Sequence, residues 1–116
     1  MEPAYAVTWH EAARPAYAGR LELGSSFFRF DGSGPRGRLL SQLVFFQDLV
    51  AVRIGRGPED RVAGRPALVL ERRSGPPVHV ATLGEPGTLH ELEGLIRRKC
   101  FAFSAAGFVP SLRSGV

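Results

Sequence analysis

The residue types that most often carry chemistry are few in this chain and far apart. Its three histidines, His10, His79 and His90, form neither a His-x-His nor a His-Glu-x-x-His pattern, and Cys100 is the only cysteine. Zinc-binding motifs place such side chains at short, defined spacings. The sequence therefore predicts no metal site and no bound cofactor.

Acidic and glycine-rich segments indicate turns. Asp48 separates two predicted strands, and Glu59-Asp60 falls in a predicted loop, so these carboxylates are expected in solvent. Neither Gly32-Ser33-Gly34 nor Gly55-Arg56-Gly57 precedes a helix whose first amides could hold a phosphate group. We therefore expect a protein that is not an enzyme and has no catalytic residues.

Arginine is concentrated in one part of the chain, although the formal net charge is only +4. Residues 53–73 contain six arginines against three carboxylates. Exposed arginines attract anionic lipid and other polyanions, but a GC-rich genome also favours arginine over lysine, so both interpretations stay open. The candidate residues for binding an anion or a partner are Arg53, Arg56, Arg61, Arg65, Arg72 and Arg73.

Alternation of apolar and polar residues predicts about seven short strands within residues 5–83. Five are expected at about 5–10, 16–23, 26–31, 39–46 and 49–55, and two more begin near Ala67 and Val78. Phe45 and Phe46 are adjacent, so a strand would direct one inward and the other outward. Glycine, proline and charge between Gly55 and Pro66 indicate an exposed loop of roughly ten residues.

The periodicity becomes helical after the last strand. Leu89, Leu92 and Ile96 recur at steps of three and four residues, which predicts an amphipathic helix over about 88–103. Thr88 and Glu91 have the spacing of a capping box at its start. Cys100 falls on the apolar stripe and is expected to be buried. Apolar residues in the end of the helix and in the tail, residues 104–116, make a candidate interface: Phe101, Phe103, Phe108 and Val109.

Length and composition favour one domain spanning residues 1–116. The chain is 44% hydrophobic, which supports a folded core, and no window approaches the uninterrupted apolar length of a membrane span. Its first twenty residues lack the basic and apolar regions of a secretion signal. A cytoplasmic location is the corresponding expectation.

The order of elements resembles the pleckstrin-homology-like superfold of small bacterial proteins. The resemblance spans about residues 5–103, and its most similar stretches are 17–23, 45–54, 68–71 and 78–80, followed by the helix. It implies two near-orthogonal antiparallel sheets forming a partly open barrel, capped by the C-terminal helix. The inositide signature of eukaryotic members is not matched, because Asp31 stands where a cation is required.

Exposed sheet edges and the surplus apolar tail favour a binding module of this type without catalytic activity. The leading expectation is binding to a protein partner or self-association into a homodimer. An arginine-rich face that binds an anionic membrane surface is the first alternative, and nucleic-acid binding by a small β-barrel is the second. Nucleic acid is the least favoured, since aromatic and basic residues are not interleaved as single-strand binding requires.

Overall fold

Seven antiparallel strands and one C-terminal helix make up the described part of the chain. The computed structural model describes residues 3–11 and 14–105, apart from the side chains of Pro86 and of residues 101–105. The strands are β1 (Ala4–Glu11), β2 (Tyr17–Leu23), β3 (Phe27–Ser33), β4 (Leu39–Phe45), β5 (Leu49–Gly55), β6 (Ala67–Arg72) and β7 (Val78–Thr82), and the helix is α1 (Pro86–Ala105). The predicted number and order of strands are confirmed.

The strands form one sheet that curls into a half-barrel, in the order β4-β3-β2-β1-β7-β6-β5. β4 and β5 follow each other in the chain through the short turn Phe46–Asp48, yet they form the two edges of the sheet. The half-barrel is therefore open between them. The mostly-β architecture with a C-terminal helix is as predicted, whereas its division into two near-orthogonal sheets stays a prediction.

The core fills the concave side of this sheet because successive side chains along each strand point to opposite faces, which places every second residue inward. Trp9, Phe28, Phe30 and Phe46 are the largest side chains in it and are fully buried. The adjacent pair is divided as predicted, with Phe46 in the core and Phe45 exposed. Leu89, Leu92 and Ile96 extend the same core from α1.

The start of α1 differs from the predicted capping box. The helix begins at Pro86, a residue type common at the first helical position, so Thr88 lies inside the first turn and not at the cap. Glu91 instead accepts a hydrogen bond from the Tyr5 hydroxyl at 2.8 Å, which ties β1 to the helix. Burial, reinforced by Glu91, raises the pKa of Tyr5 to about 12.

The loop between β5 and β6 is less exposed than its composition predicts. Asp60 and Val62 are buried, because the loop folds back over the convex face of the sheet. Val62 packs with Ala67 and Ala81 in a small second cluster. A tight turn through Ala63-Gly64 pairs Val62 with Arg65. The expectation of a solvated Asp60 is therefore wrong, since long-range packing against the sheet buries its side chain.

Candidate functional site

A cleft of about 980 Å³ opens at one end of the half-barrel. In an antiparallel meander, alternate connections lie at the same end, so Arg14 and Pro15, shortly before β2, and the turn between β3 and β4 both border it. Side chains from β1, β2 and β4 form its walls. The cleft therefore lies where two connecting segments meet the open end of the core.

Stacked aromatic rings form the apolar part of the cleft. Trp9 stacks on Phe30 with ring centroids 4.7 Å apart and on Tyr17 at 5.7 Å. Leu40 contributes an aliphatic side chain from β4. Glycine is required beside this stack, because a side chain on Gly32 would meet the Trp9 ring and the backbone of Ala18. The cleft can hold an apolar or aromatic group against Tyr17 and Leu40, the partly exposed side chains of this wall.

A polar network lies next to the aromatic stack. The Glu11 carboxylate accepts hydrogen bonds from the Gln42 amide at 2.7 Å and from the Arg72 guanidinium at 2.8 Å. Arg72 also donates to the Pro76 carbonyl and is only 10% exposed. Arg72, a sequence candidate for anion binding, therefore lies in an ion pair that links β1 to β6.

Three exposed arginines border the mouth of the cleft: Arg14, Arg36 and Arg38. Within residues 3–11 and 14–105, none of them forms a salt bridge with a carboxylate. Their positive charge is thus available to a ligand. Together with the aromatic stack, it suits a ligand that carries both carboxylate or phosphate groups and an apolar group.

Arg36 is held in a turn that its residue type does not favour. Arg36 and Gly37 both have positive φ, 61° and 71°, and the Arg38 amide donates to the Pro35 carbonyl, as in a type I′ turn. Asparagine, aspartate or glycine is usual at the Arg36 position of such a turn. The residue present therefore adds a cation to the rim at a small conformational cost.

The outer face of the sheet holds a second polar cluster. His10 and His79 are cross-strand neighbours with rings stacked 4.9 Å apart. Asp60 lies 3.9 Å from His79 Nε2 and 3.3 Å from Arg53 Nη1. Burial, followed by the charge of His10, lowers the pKa of His79, and Asp60 acts in the opposite direction. No group of three His, Cys, Asp or Glu side chains among the described residues is arranged to hold a metal ion.

The sequence-predicted arginines do not converge on one face. Arg53 points outward toward Asp60 and Glu71, whereas Arg72 points into the open end of the half-barrel. The three arginines of the loop each have a different partner. Arg56 contacts His90. Arg61 donates to the Gly64 carbonyl, and Arg65 donates to the Thr82 carbonyl. Arg73 lies near the turn after β4 and bonds the Gln47 carbonyl.

The predicted apolar interface lies mostly beyond what the structure describes. Phe101 and Phe103 fall on the last turns of α1, but their side chains are outside the described set, as are Phe108 and Val109 altogether. The helix is not long and apolar enough to cross a membrane in the part of the chain that is described. Cys100 is only half-buried and packs against the core.

Sequence reasoning missed the rim arginines Arg14, Arg36 and Arg38. Each stands in a short connection, where isolated charge is ordinary, and none belongs to a dense run. The available signal was topological: in the predicted meander, the connections after strands one and three must lie at the same end of the sheet. Summing the charged residues of the connections at each end of the predicted sheet would have identified these three arginines as one group.

Comparison of the sequence with protein-family models and with curated proteins finds no match to either.

Proposed function

We propose that this chain is a non-catalytic binding module of the pleckstrin-homology-like type, with its strands divided into two near-orthogonal sheets. Its cleft binds an acidic segment of a protein partner. The observation that carries the proposal is the combination of a recessed aromatic stack with three arginines that lack carboxylate partners among the described residues. The order of seven antiparallel strands followed by a helix supports the type of module.

A peptide fits this site better than a flat surface does. Trp9 and Phe30 are fully buried, and the partly exposed Tyr17 and Leu40 lie inside the cleft, so an apolar group must enter the cleft to contact these two side chains. A glutamate- or aspartate-rich segment with an apolar residue supplies carboxylates for Arg36 and Arg38 and one side chain for the recess. Arginine binds carboxylates through paired N–H donors, which makes such contacts directional.

One observation favours an anionic membrane surface as a second candidate. Leu39 follows Arg38 directly and is 82% exposed, the most exposed large apolar side chain of the described residues. A projecting leucine beside cations is able to enter the interfacial region of a bilayer. Here Arg36, Arg38 and Leu39 would make the contact, in place of the arginine-rich stretch 53–73.

The test measures binding of a fluorescent peptide in which glutamate and leucine alternate, with a lysine–leucine peptide of equal length as the control. Arg36→Asn removes one of the three rim charges and supplies a residue that the type I′ turn favours, so we expect weaker binding with unchanged or higher stability. Ala63→Asn is the matched control, because Ala63 occupies the equivalent position of the other tight turn at a φ of 51°. It should leave binding unchanged.

Three results are distinguishable. Binding of the acidic peptide that Arg36→Asn weakens and Ala63→Asn does not supports the proposal. Binding to phosphatidylserine vesicles but not to the peptide, lost on Leu39→Ser, selects the membrane candidate. Peptide binding that only Arg56→Gln or Arg61→Gln weakens moves the site to the loop and contradicts the proposal.

A further inference from the structure

The strand β4 is an edge of the sheet with an unusual composition. Its seven residues, Leu39–Phe45, include no charged residue and no proline. Leu43 and Phe45 are 46% and 45% exposed, in addition to Leu39. Natural proteins protect free edges with charge, proline, bulges or a covering element, because an open edge pairs with other strands. Within the sequence of β4 itself, none of these protections is present.

The same residues of β4 expose both their side chains and their backbone. Just before β4, the Gly34 amide donates to the Arg38 carbonyl, and just after it the Phe46 amide donates to the Ser26 carbonyl. At both ends, therefore, the even-numbered residues form the backbone hydrogen bonds on the β3 side. The β3–β4 register is continuous between these points. By alternation, the odd-numbered residues direct N–H and C=O to the free edge: Leu39, Ser41, Leu43 and Phe45. All four are also exposed.

The opposite edge, β5, shows what protection looks like in this fold. A bulge interrupts its register between Leu49 and Ala51, and Arg53 lies in its middle. Arg97 of α1 reaches across and donates to the Val52 carbonyl. The β5 edge is therefore protected from pairing by a bulge, a charged residue and a covering side chain, whereas β4 has no such protection within its own sequence.

We propose that β4 pairs with β4 of a second copy of this chain, antiparallel and centred on Gln42. This register sets Leu39 opposite the partner's Phe45 and Ser41 opposite the partner's Leu43, so all four edge-facing residues are used. It forms about eight backbone hydrogen bonds, two for each of the four hydrogen-bonded residue pairs. The apolar side chains of the two outer faces then lie together.

Charge at the two ends of β4 favours this antiparallel arrangement. Arg36 and Arg38 precede the strand and Asp48 follows it. Antiparallel pairing about Gln42 brings the arginine end of one copy beside the Asp48 end of the other. Parallel pairing would instead place arginine beside arginine, which repels.

The size of the contact predicts a weak dimer. Seven residues extend about 24 Å, so one strand pair buries far less than the roughly 800 Å² per partner of a standard stable interface. We therefore expect reversible association with a dissociation constant in the micromolar range or above. The backbone pairing of β4 needs no ligand in the cleft, so the dimer is tested on protein without the acidic peptide, and its failure leaves the proposed function standing.

The experiment measures mass by sedimentation velocity over micromolar to millimolar concentration, starting from the 12.6 kDa monomer. Ser41→Pro removes an edge-facing N–H, and its control Ser41→Ala keeps that N–H while losing the same hydroxyl bond to Asp31. Leu43→Lys charges the edge, and Val50→Lys is its control on β5, since Val50 is 45% exposed and Leu43 46%. Ser41→Pro and Leu43→Lys should each weaken dimerisation at least tenfold, and the controls should leave it within twofold.

Amide hydrogen exchange identifies the surface independently of any variant. Protection of Leu39, Ser41, Leu43 and Phe45 should grow with protein concentration and be absent in the dilute monomer. If those four amides are protected at every concentration, another segment of the same chain covers β4 and the proposal is wrong. A chain that stays monomeric, or a dimer that β4 variants do not affect, would also overturn it.

Discussion

The Glu11–Arg72 ion pair offers a sharp test of how this end of the half-barrel is held together. Arg72 is 10% exposed and Glu11 25%, and their closest atoms are 2.8 Å apart. Replacing either residue by methionine keeps much of the side-chain length and removes the charge. The partner is then left buried without its counter-ion.

The two substitutions should not cost the same. Glu11→Met removes the hydrogen-bond acceptor of both Arg72 and the Gln42 amide. Because Arg72 is the more buried member of the pair, we expect the free energy of unfolding to fall by about 3 kcal/mol. Arg72→Met leaves Glu11 with Gln42 and partial solvent, and should cost about 1–2 kcal/mol. The double variant should lose less than the two single losses together.

Urea unfolding of the four proteins, followed by circular dichroism, gives the coupling energy of the pair. Arg20→Met is the control, because Arg20 is 63% exposed in its ion pair with Glu22 and should cost under about 0.5 kcal/mol. A coupling energy below about 0.5 kcal/mol would refute the assignment of Arg72 to the structural network. A larger loss for Arg72→Met than for Glu11→Met would contradict the argument that the more buried group is the costlier one to leave without its partner.

Three further predictions concern other parts of the fold. The pKa of His79 is lowered in the folded state, so the stability that neutral His79 contributes is complete above about pH 6.5 and falls as the pH drops below that value. In denaturant titrations, the difference in stability between wild type and His79→Gln should therefore change below about pH 6.5. A difference independent of pH would contradict the burial of His79. Burial raises the pKa of the Cys100 thiol, so a thiol reagent should label it slowly at neutral pH and quickly after denaturation; fast native labelling would show that the thiol is open. Ile96→Ala should cost about 2–5 kcal/mol of stability, whereas Thr88→Ala, inside the first turn, should cost under about 0.5 kcal/mol, and a large loss for Thr88→Ala would restore it as the cap.

The strands were predictable because their signal is local. Alternation in Phe28-Arg29-Phe30 or Leu21-Glu22-Leu23 reflects burial on one face of a strand, and the structure buries the apolar members of both. The helix stripe of Leu92 and Ile96 is local in the same sense. The start of α1 was not predictable in this way, because Thr88 and Glu91 fit a capping pattern while Pro86 already fixes the first turn.

The candidate site could not be predicted from local signals. His10 and His79 are distant in the sequence and become neighbours only through the pairing of β1 with β7. Asp60 is buried by packing against the sheet, which its charged, glycine-rich surroundings do not indicate. Arg72 falls in an arginine-rich stretch, but alternation along β6 places it on the inward face with Leu68 and Leu70, where its contact with Glu11 depends on the distant strand β1.

Chemical-shift mapping by nuclear magnetic resonance tests the central claim most directly. Adding the glutamate–leucine peptide to dilute protein should shift the Trp9 indole N–H, the Gln42 side-chain amide and the backbone amides of Arg36 and Arg38. Resonances of the loop 56–66 should stay in place. Shifts confined to that loop, or no shift at millimolar peptide, would contradict the assignment of the cleft as the binding site.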